Sequence, residues 1–434
     1  MGRVLVLLCF FPTAVLGDVF WVTNSGAGTK DGSSLVDACE LWSDSDCTAS
    51  TGDTVCLSGE FTANVALSPS AGVIYDGLCT GATQGKLNRQ GSGGSRISSS
   101  SDVDDVTIKN IEITGATSAH AISLSGGSND RWTFDNLYVH DNSGVLGLRA
   151  SGSVFEIKNS RFDDNGAGAI VIDAPMSSIH DNVLTDNGTA GAGNTDGIGL
   201  NDGSENSEVY FNVVTGQKSA SGAGIDIGGD TTDGEILVWG NTVSNGEGNG
   251  IMLSADQVIV RAYANLLIDN AVNIHAKGDA VQYIQNNTSI STDSITYHFR
   301  CGNSAEGTGR MEYTNNIFYG PADRVGYVNA IGATCVDDKN MYSSSGTFLI
   351  QGTCDPCTLA TWQAANGDTS ITTDPSFVSG TYQLTSDSAG VDAGRHVYPC
   401  VDHSGGACLG PIDIGAYQNQ IVPYGYTLKP KRRR

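Results

Sequence analysis

Basic residues are scarce in this sequence. Its 434 residues include 23 Lys and Arg against 47 Asp and Glu, which gives a formal net charge of −24. Five of the basic residues occupy the last six positions, KPKRRR, and Arg3 lies near the N terminus, which leaves 17 over residues 18–428. A body this acidic repels polyanions, so the composition excludes nucleic acid and anionic membrane surfaces as partners.

Long apolar runs are equally rare. Only residues 1–17, MGRVLVLLCFFPTAVLG, contain one, and it is too short to cross a bilayer. A single Arg, an apolar stretch and a small residue at position 17 are typical of a cleaved secretory signal. The sequence therefore predicts a secreted protein without a membrane span, whose mature chain begins near Asp18.

Cysteine is missing between residues 80 and 300. Outside the predicted signal segment the ten cysteines are Cys39, Cys47, Cys56, Cys79, Cys301, Cys335, Cys354, Cys357, Cys400 and Cys408. An even number of cysteines in a secreted chain favours disulfides over metal binding. Their distribution predicts that disulfides staple the two ends of the chain.

Proline is rare, at 10 residues, whereas glycine reaches 56 and one short phrase recurs. The phrase places an Asn between apolar residues, as in IKNIEI, HDNVLT and YFNVVT. Its nine copies are centred on Asn110, Asn136, Asn159, Asn182, Asn212, Asn241, Asn265, Asn287 and Asn316. A second phrase, such as DGIGL or AGIDI, follows most of them. Repeats of about 25 residues indicate a solenoid.

Within each repeat the apolar residues alternate with polar ones, which predicts short strands rather than helices. A repeat of this length has room for three short strands. Stacked copies would pair in parallel, with Ile, Val and Leu inside and the recurring Asn forming a buried amide ladder. The sequence therefore predicts an all-β solenoid of about ten to twelve coils.

Such coils resemble the right-handed parallel β-helix proteins, a group that includes pectate lyases, alginate lyases, mannuronan epimerases, polygalacturonases and tailspikes. The opening VFWVTNSGAGTKDGSSLVDACELW resembles their N-terminal cap, and DPSFVSGTYQLTSDSAGVDAG with GPIDIGAYQ resembles a C-terminal segment of secreted members. The resemblance implies disulfide-stapled end caps. The expected boundaries are a signal peptide (1–17), an N-terminal cap with the first coils (18–105), a central β-helix (106–345), C-terminal coils and cap (346–428) and a basic tail (429–434).

Strand alternation places two columns of outward-facing residues on one sheet. The first predicted column is Ser123, Gly147, Val171, Gly199, Asp226, Met252, Asn273 and His298. The second is Ser125, Arg149, Asp173, Asn201, Gly228, Ser254, His275 and Arg300, with Lys277 at the strand end. Because neighbouring coils lie about 5 Å apart, acidic and basic groups distant in sequence would meet along this sheet.

These columns supply the candidate functional residues. We expect catalytic roles for His275, Lys277, His298 and Arg300, substrate binding by Arg149, Asn201 and Asn273, and metal binding by Asp173, Asp196 and Asp226. Oxygen ligands on stacked coils suit Ca²⁺, so calcium is the expected cofactor. A gathering of His, Lys and Arg on one face of so acidic a chain favours a functional site for an acidic polysaccharide.

The tetrad Asn194-Thr195-Asp196-Gly197 resembles the catalytic motif of polygalacturonases. The Asp pair, the Gly-His-Gly and the Arg-x-Lys that accompany it in that family do not follow at matching positions. The "GFKLG"-like phrase that carries the base lysine of pectate lyases also has no Lys here. We therefore interpret the tetrad mainly as turn chemistry of the repeat and keep Asp196 as a candidate ligand.

Three functions remain open from the sequence. The first is β-elimination or C5-epimerisation of a uronic-acid polymer, which needs a charge neutraliser, a base and an acid. The second is hydrolysis by an inverting pair of Asp carboxyls. The third is a non-catalytic adhesin or glycan-binding solenoid, whose outward columns would be polar without a converging acid–base set.

Overall fold

The computed structural model describes residues 17–40, 48–62, 66–91, 93–100, 102–126, 129–189, 195–229, 234–292, 295–302, 309–328, 334–344, 346–350, 354–366, 370–379, 381–394 and 413–416. Residues 1–16 of the predicted signal segment, Asn194 and the basic tail lie outside these ranges. Within the ranges, no helix is both long enough and apolar enough to pass through a membrane.

Three sheets run the length of the described chain. The first sheet has 13 strands: Val19–Thr23, Thr54–Ser58, Ile74–Asp76, Thr107–Lys109, Thr133–Asp135, Glu156–Lys158, Ser178–His180, Glu208–Tyr210, Glu235–Trp239, Ile259–Tyr263, Gln282–Gln285, Arg310–Thr314 and Thr334–Asp338. The second sheet has 12: Glu60–Phe61, Lys86–Asn88, Glu112–Thr114, Tyr138–His140, Arg161–Asp163, Val183–Thr185, Val213–Thr215, Thr242–Ser244, Leu266–Ile268, Thr288–Ile290, Ile317–Tyr319 and Met341–Ser343.

The third sheet, which carries the candidate site, also has 12 strands: Ile97–Ser99, Ile122–Leu124, Leu146–Ser151, Gly168–Asp173, Ile198–Leu200, Ala223–Ile227, Asn249–Leu253, Val272–Ala276, Ile295–Cys301, Ala322–Val328, Thr347–Ile350 and Cys354–Cys357. A 3-10 helix covers Leu35–Asp37 and an α-helix covers Leu359–Asn366. The rest of the described chain consists of turns, bends and isolated bridges.

Successive strands of one sheet come from successive coils and pair in parallel. On the first sheet, for example, Ile157 is aligned with Ile179 and Ile179 with Val209. Only the last pair, Thr347–Ile350 with Cys354–Cys357, is antiparallel. This confirms the predicted all-β solenoid of ten to twelve coils, and the alternation explains it, since these three aligned residues are fully buried while their strand neighbours face outward.

A buried Asn ladder runs along one corner of the solenoid, as predicted. Each Asn donates two hydrogen bonds to the Asn of the next coil. The main-chain N and Nδ2 of Asn212, for instance, donate to Oδ1 of Asn241 at 3.0 Å each. The ladder continues through Asn182, Asn212, Asn241, Asn265, Asn287, Asn316 and Asn340. Every side chain of this set is completely or almost completely buried.

The three earliest copies of the Asn phrase do not join this ladder, which corrects the predicted alignment. Asn110, Asn136 and Asn159 have φ values of 59°, 53° and 51°, so each occupies a left-handed turn position one residue ahead of the ladder position. Ser160 fills the ladder position in its coil, where its N–H donates to Asn182. Asn tolerates the left-handed region better than other non-glycine residues, which accounts for its presence in these turns.

Disulfides join neighbouring coils near both ends of the described solenoid. Cys56 bonds Cys79 among the first coils, with 5.8 Å between their Cα atoms, and Cys301 bonds Cys335 among the late coils, with 6.4 Å. Both pairs agree with the prediction that the ends are stapled. The segment boundaries proposed from the sequence stay predictions, because the described coils form one continuous stack.

Candidate functional site

The strand register of the third sheet defines its outward columns. The first column runs Arg149, Val171, Gly199, Asp226, Met252, His275, Arg300 and Tyr327. The second runs Asp173, Asn201, Gly228, Ser254, Lys277 and Gly302, each bonded through its main-chain N to the coil before it from Asn201 onward. Asp226, His275 and Arg300 therefore lie on one face, and Lys277 lies beside His275.

Asn273 and His298 do not face outward, so their predicted exposure on the sheet is wrong. Both are 0% exposed. Asn273 accepts a bond from Asn270 at 2.9 Å and donates to Ser289 Oγ at 2.8 Å, and that same Oγ lies 2.8 Å from Nδ1 of His298. The two residues belong to a polar line inside the corner between the second and third sheets.

The local geometry of this corner explains the error. In earlier coils the same position is Gly197, Gly224 or Gly250. A Cβ on Gly224 would lie 2.3 Å from Val243 Cγ1, because the position points into the core before the strand alternation begins. The register also pairs His275 with Met252, two residues away from the predicted alignment. Because the offset is even, His275 still faces outward, whereas Asn273 falls on the corner position, which points inside.

Two glycines, the buried Gly199 and the half-buried Gly228, interrupt the outward side chains in the middle of this face, and we call the gap that they leave the depression. Gly199 separates Val171 from Asp226 in the first column, and Gly228 separates Asn201 from Ser254 in the second. Glycine within a strand often marks a place where a ligand approaches the backbone. Gly199 is buried, and a Cβ there would lie 3.5 Å from Val171 Cγ2 and 3.7 Å from Oδ2 of Asp196, so these two side chains border the position.

Asp196 and Asp226 border the depression and influence each other. Burial raises the pKa of Asp196 to about 6, against the effect of the Ala223 N–H, which donates to its Oδ1 at 2.8 Å, and of the Lys277 charge. Burial, followed by the nearby Asp196 charge, raises the pKa of Asp226 to about 7, although Ser254 Oγ donates to it at 3.1 Å. The pair therefore still holds a proton at pH values where an ordinary Asp is ionised, and it loses its last proton near pH 7.

His275, Lys277 and Arg300 form a basic group beyond the acidic pair. His275 is only 6% exposed, and its Nε2 has no hydrogen-bond partner among the described residues. Burial, then the charges of Arg300 and Lys277, lower the pKa of His275 to about 3, so the imidazole is neutral. The Arg300 guanidinium packs over the Tyr327 ring at 5.2 Å from its centroid.

Asp173 is already engaged on the other side of the depression. It accepts a bond from Arg149 Nη2 at 3.1 Å and from Asn201 Nδ2 at 2.9 Å. Among the described residues, no group of three or more His, Cys, Asp or Glu side chains is arranged to hold a metal ion. The predicted calcium ligands Asp173, Asp196 and Asp226 are not such a group, and calcium binding stays a prediction.

Three residues of the site escaped the sequence analysis as functional candidates. Ser254 bonds Asp226, while Gly199 and Gly228 make the depression. The two glycines could have been noticed in the predicted columns, because both stand at positions predicted to face outward from a strand, and glycine normally weakens a strand. In the structure Gly199 lies inside the strand Ile198–Leu200, whereas Gly228 directly follows the strand Ala223–Ile227, so Gly199 was the stronger of the two signals.

Comparisons with known proteins agree with the fold. Residues 86–237 match a family model described as "Right handed beta helix region". XylC in complex with xylose superposes with a TM-score of 0.61 at 11% identity and covers 93% of this chain and 98% of that chain. Pectate lyase Pel9A (TM-score 0.43, 14% identity, 93% and 96% covered) and the A-module of mannuronan C-5 epimerase AlgE4 from Azotobacter vinelandii (0.40, 16%, 70% and 90%) are further structural neighbours.

The family-model match and the superposition on XylC identify the architecture. The chain is a right-handed parallel β-helix, and no particular subfamily is indicated. At the sequence level it matches no curated protein significantly. At 11% identity the likeness to XylC shows the fold alone, so any function has to be argued from the site itself.

Filling the depression tests whether it receives a ligand. A Cβ on Gly228 would meet Ser254 Oγ at 3.5 Å and no closer atom, and φ there is not positive, so Gly228→Leu should fold normally. Its side chain would occupy the groove, and we expect at least a tenfold loss of activity with an unchanged melting temperature. Ser125→Leu, on the same face but distant from the acidic pair, is the control. Full activity in Gly228→Leu would exclude the depression as the binding site.

Proposed function

We propose that this protein cleaves glycosidic bonds of a polysaccharide that lies along the third sheet. The observation that carries the proposal is the pair Asp196 and Asp226, two electrostatically linked carboxyl groups with raised pKa values beside a glycine-floored depression. Two carboxyls whose environments separate their protonation are the arrangement that glycoside hydrolysis requires. The sugar bound in the XylC neighbour is consistent with a carbohydrate ligand.

The two carboxyls take different roles. Asp226 has the higher pKa, so it keeps its proton and donates it to the glycosidic oxygen as the bond to the anomeric carbon breaks. Asp196 is the more easily ionised member, and the Ala223 N–H stabilises its charge. It removes a proton from the water that attacks the anomeric carbon. The products are two sugars with free hydroxyl groups, and proton exchange with solvent restores the pair.

Elimination is the second candidate, favoured by one observation. The charge of Lys277 reaches both Asp196 and Asp226, which places an amine near the reacting position. Lys277 could then act as the base and Arg300 as the neutraliser of a uronate carboxylate. His298 has no part in this scheme, since it lies in the core.

Product analysis separates these functions. Hydrolysis of a panel of pectate, alginate and glycosaminoglycans should release reducing ends without an unsaturated product, whereas elimination creates an unsaturated sugar that absorbs in the ultraviolet. We expect the first result, unchanged by chelator. Ultraviolet-absorbing products would contradict hydrolysis and show that the protein cleaves by elimination. Binding without cleavage of any polymer would favour the non-catalytic glycan-binding function.

Secretion and an acidic polysaccharide partner are part of the same proposal. In a chain with a net charge of −24, basic groups without ion pairs on one sheet face are unusual, which supports an acidic polymer as the ligand. The N-terminal apolar segment and the disulfides support an extracellular location.

A further inference from the structure

Most outward-facing cations of the described chain are ion-paired, whereas Lys277 and Arg300 are not. Arg149 pairs with Asp173, Lys218 with Asp186 and Arg310 with Glu312. No described carboxylate forms an ion pair with Lys277 or Arg300, although acidic residues outnumber basic ones two to one in the sequence. Two unpaired cations on adjacent coils repel each other, so an anion bound between them would relieve that repulsion.

A second observation also points to a ligand at this place. His275 is aligned with Arg300 across the coils and precedes Lys277 by two residues. Its side chain is more than nine-tenths buried, and Nε2 lacks a partner among the described residues. Nε of Arg300 is likewise buried without a described partner. Buried polar atoms are normally hydrogen-bonded, so these two atoms are available to bond a ligand.

We propose that His275, Lys277 and Arg300 form an anion subsite for a carboxylate or sulfate group on the bound polysaccharide. The inference rests on the proposed function and adds a position to it. Arg300 lies three coils beyond Asp226, about 14 Å along the sheet. The Arg300 end of the subsite is thus a few sugar units away from the bond that is cleaved, while Lys277 lies nearer to the acidic pair.

Binding in an inactive background tests this subsite. In Asp226→Asn protein, calorimetry would compare short oligogalacturonates with their methyl esters, and sulfated galactan oligosaccharides with their desulfated forms. The anionic member of at least one pair should bind about tenfold or more tightly than its neutral counterpart. Only the anionic compound can accept charge-assisted hydrogen bonds from the subsite. The pair that shows the difference identifies carboxylate or sulfate as the source of the anion.

Substitutions then locate the effect. Lys277→Met and Arg300→Gln should each remove most of the preference for the anionic member while the binding of the neutral member stays within about twofold. Lys218→Met and Arg310→Gln delete the same charges from surface ion pairs and should leave the preference intact. Equal binding of both members in every pair, absence of anionic binding, or equal losses in the control variants would overturn the subsite. If the wild-type protein cleaves no polymer but still prefers the anionic oligosaccharide, the hydrolase proposal is rejected and the anion subsite is kept.

Discussion

Asp226→Asn should lose activity by about a thousandfold or more and yet become more stable at neutral pH. The loss is expected because an amide cannot donate the proton that the glycosidic oxygen needs. The fold should tolerate the change, since the amide oxygen can accept the same bond from Ser254 Oγ that Asp226 Oδ1 accepts at 3.1 Å. A residue that destabilises its own fold while it supports activity is a mark of a functional position.

The pH dependence of this stability follows from the raised pKa. Asp226 has a pKa of about 7 in the folded protein and an ordinary value of 3.8. Between these values the folded chain holds a proton that the unfolded chain releases, so the wild-type protein loses stability as pH rises through this window. Asp226→Asn lacks this loss. Its free energy of unfolding should exceed that of the wild type by on the order of 2 kcal/mol at pH 8, with little difference at pH 4.

Urea unfolding at several pH values measures the difference, and the activity assay is run on the same samples. Asp173→Asn is a matched control, because Asp173 lies on the same face and is paired with Arg149. That variant should gain no stability at pH 8. An active or destabilised Asp226→Asn protein would show that the carboxyl group is an ordinary structural residue.

Asn241→Ala should destabilise the β-helix by about 3 kcal/mol or more. The Asn241 side chain accepts bonds from the main-chain N and Nδ2 of Asn212, and it donates to the carbonyl of Val209 at 2.9 Å and to Asn265 at 3.0 Å. Alanine would leave these groups buried without partners, and each unsatisfied group costs about 1–3 kcal/mol. The loss is therefore larger than that of a typical surface substitution.

Asn136→Ala is the matched control, since it carries the same substitution in the same sequence phrase. Asn136 is exposed, and its Nδ2 donates to Asn110 Oδ1 at 2.7 Å on the surface. Its replacement should cost no more than about 1 kcal/mol, mainly through the left-handed turn. Urea unfolding measures both variants. Equal losses in the free energy of unfolding for Asn241→Ala and Asn136→Ala would mean that the buried ladder contributes no special stability.

Asn136 and Asn241 show which features the sequence could predict and which it could not. The repeat and its alternation were sufficient for the fold, because burial every second residue leaves a pattern that needs no three-dimensional information. The position of an Asn within a turn was not predictable. Asn136 and Asn241 occur in the similar phrases FDNLYV and WGNTVS, but a shift of one residue separates a left-handed surface turn from a buried ladder.

The candidate site was predictable in its location and not in its detail. Outward alternation brought Asp226, His275 and Arg300 to one face, as the register confirms. It failed for Asn273 and His298 because both lie at a corner, where consecutive residues can turn inward. The coupling of Asp196 with Asp226 depends on depth and on the missing side chain at Gly199, and neither quantity follows from residue spacing.

Titration of the carboxyl groups tests the central claim most directly. Nuclear magnetic resonance of protein with ¹³C-labelled aspartate would follow Asp196 and Asp226, assigned from the Asn variants. The account predicts that both titrate well above the ordinary range, and that Asp196→Asn lowers the pKa of Asp226, because the Asp196 charge contributes to its elevation. Two carboxyls that titrate independently near pH 4 would contradict the acid–base pair and the function built on it.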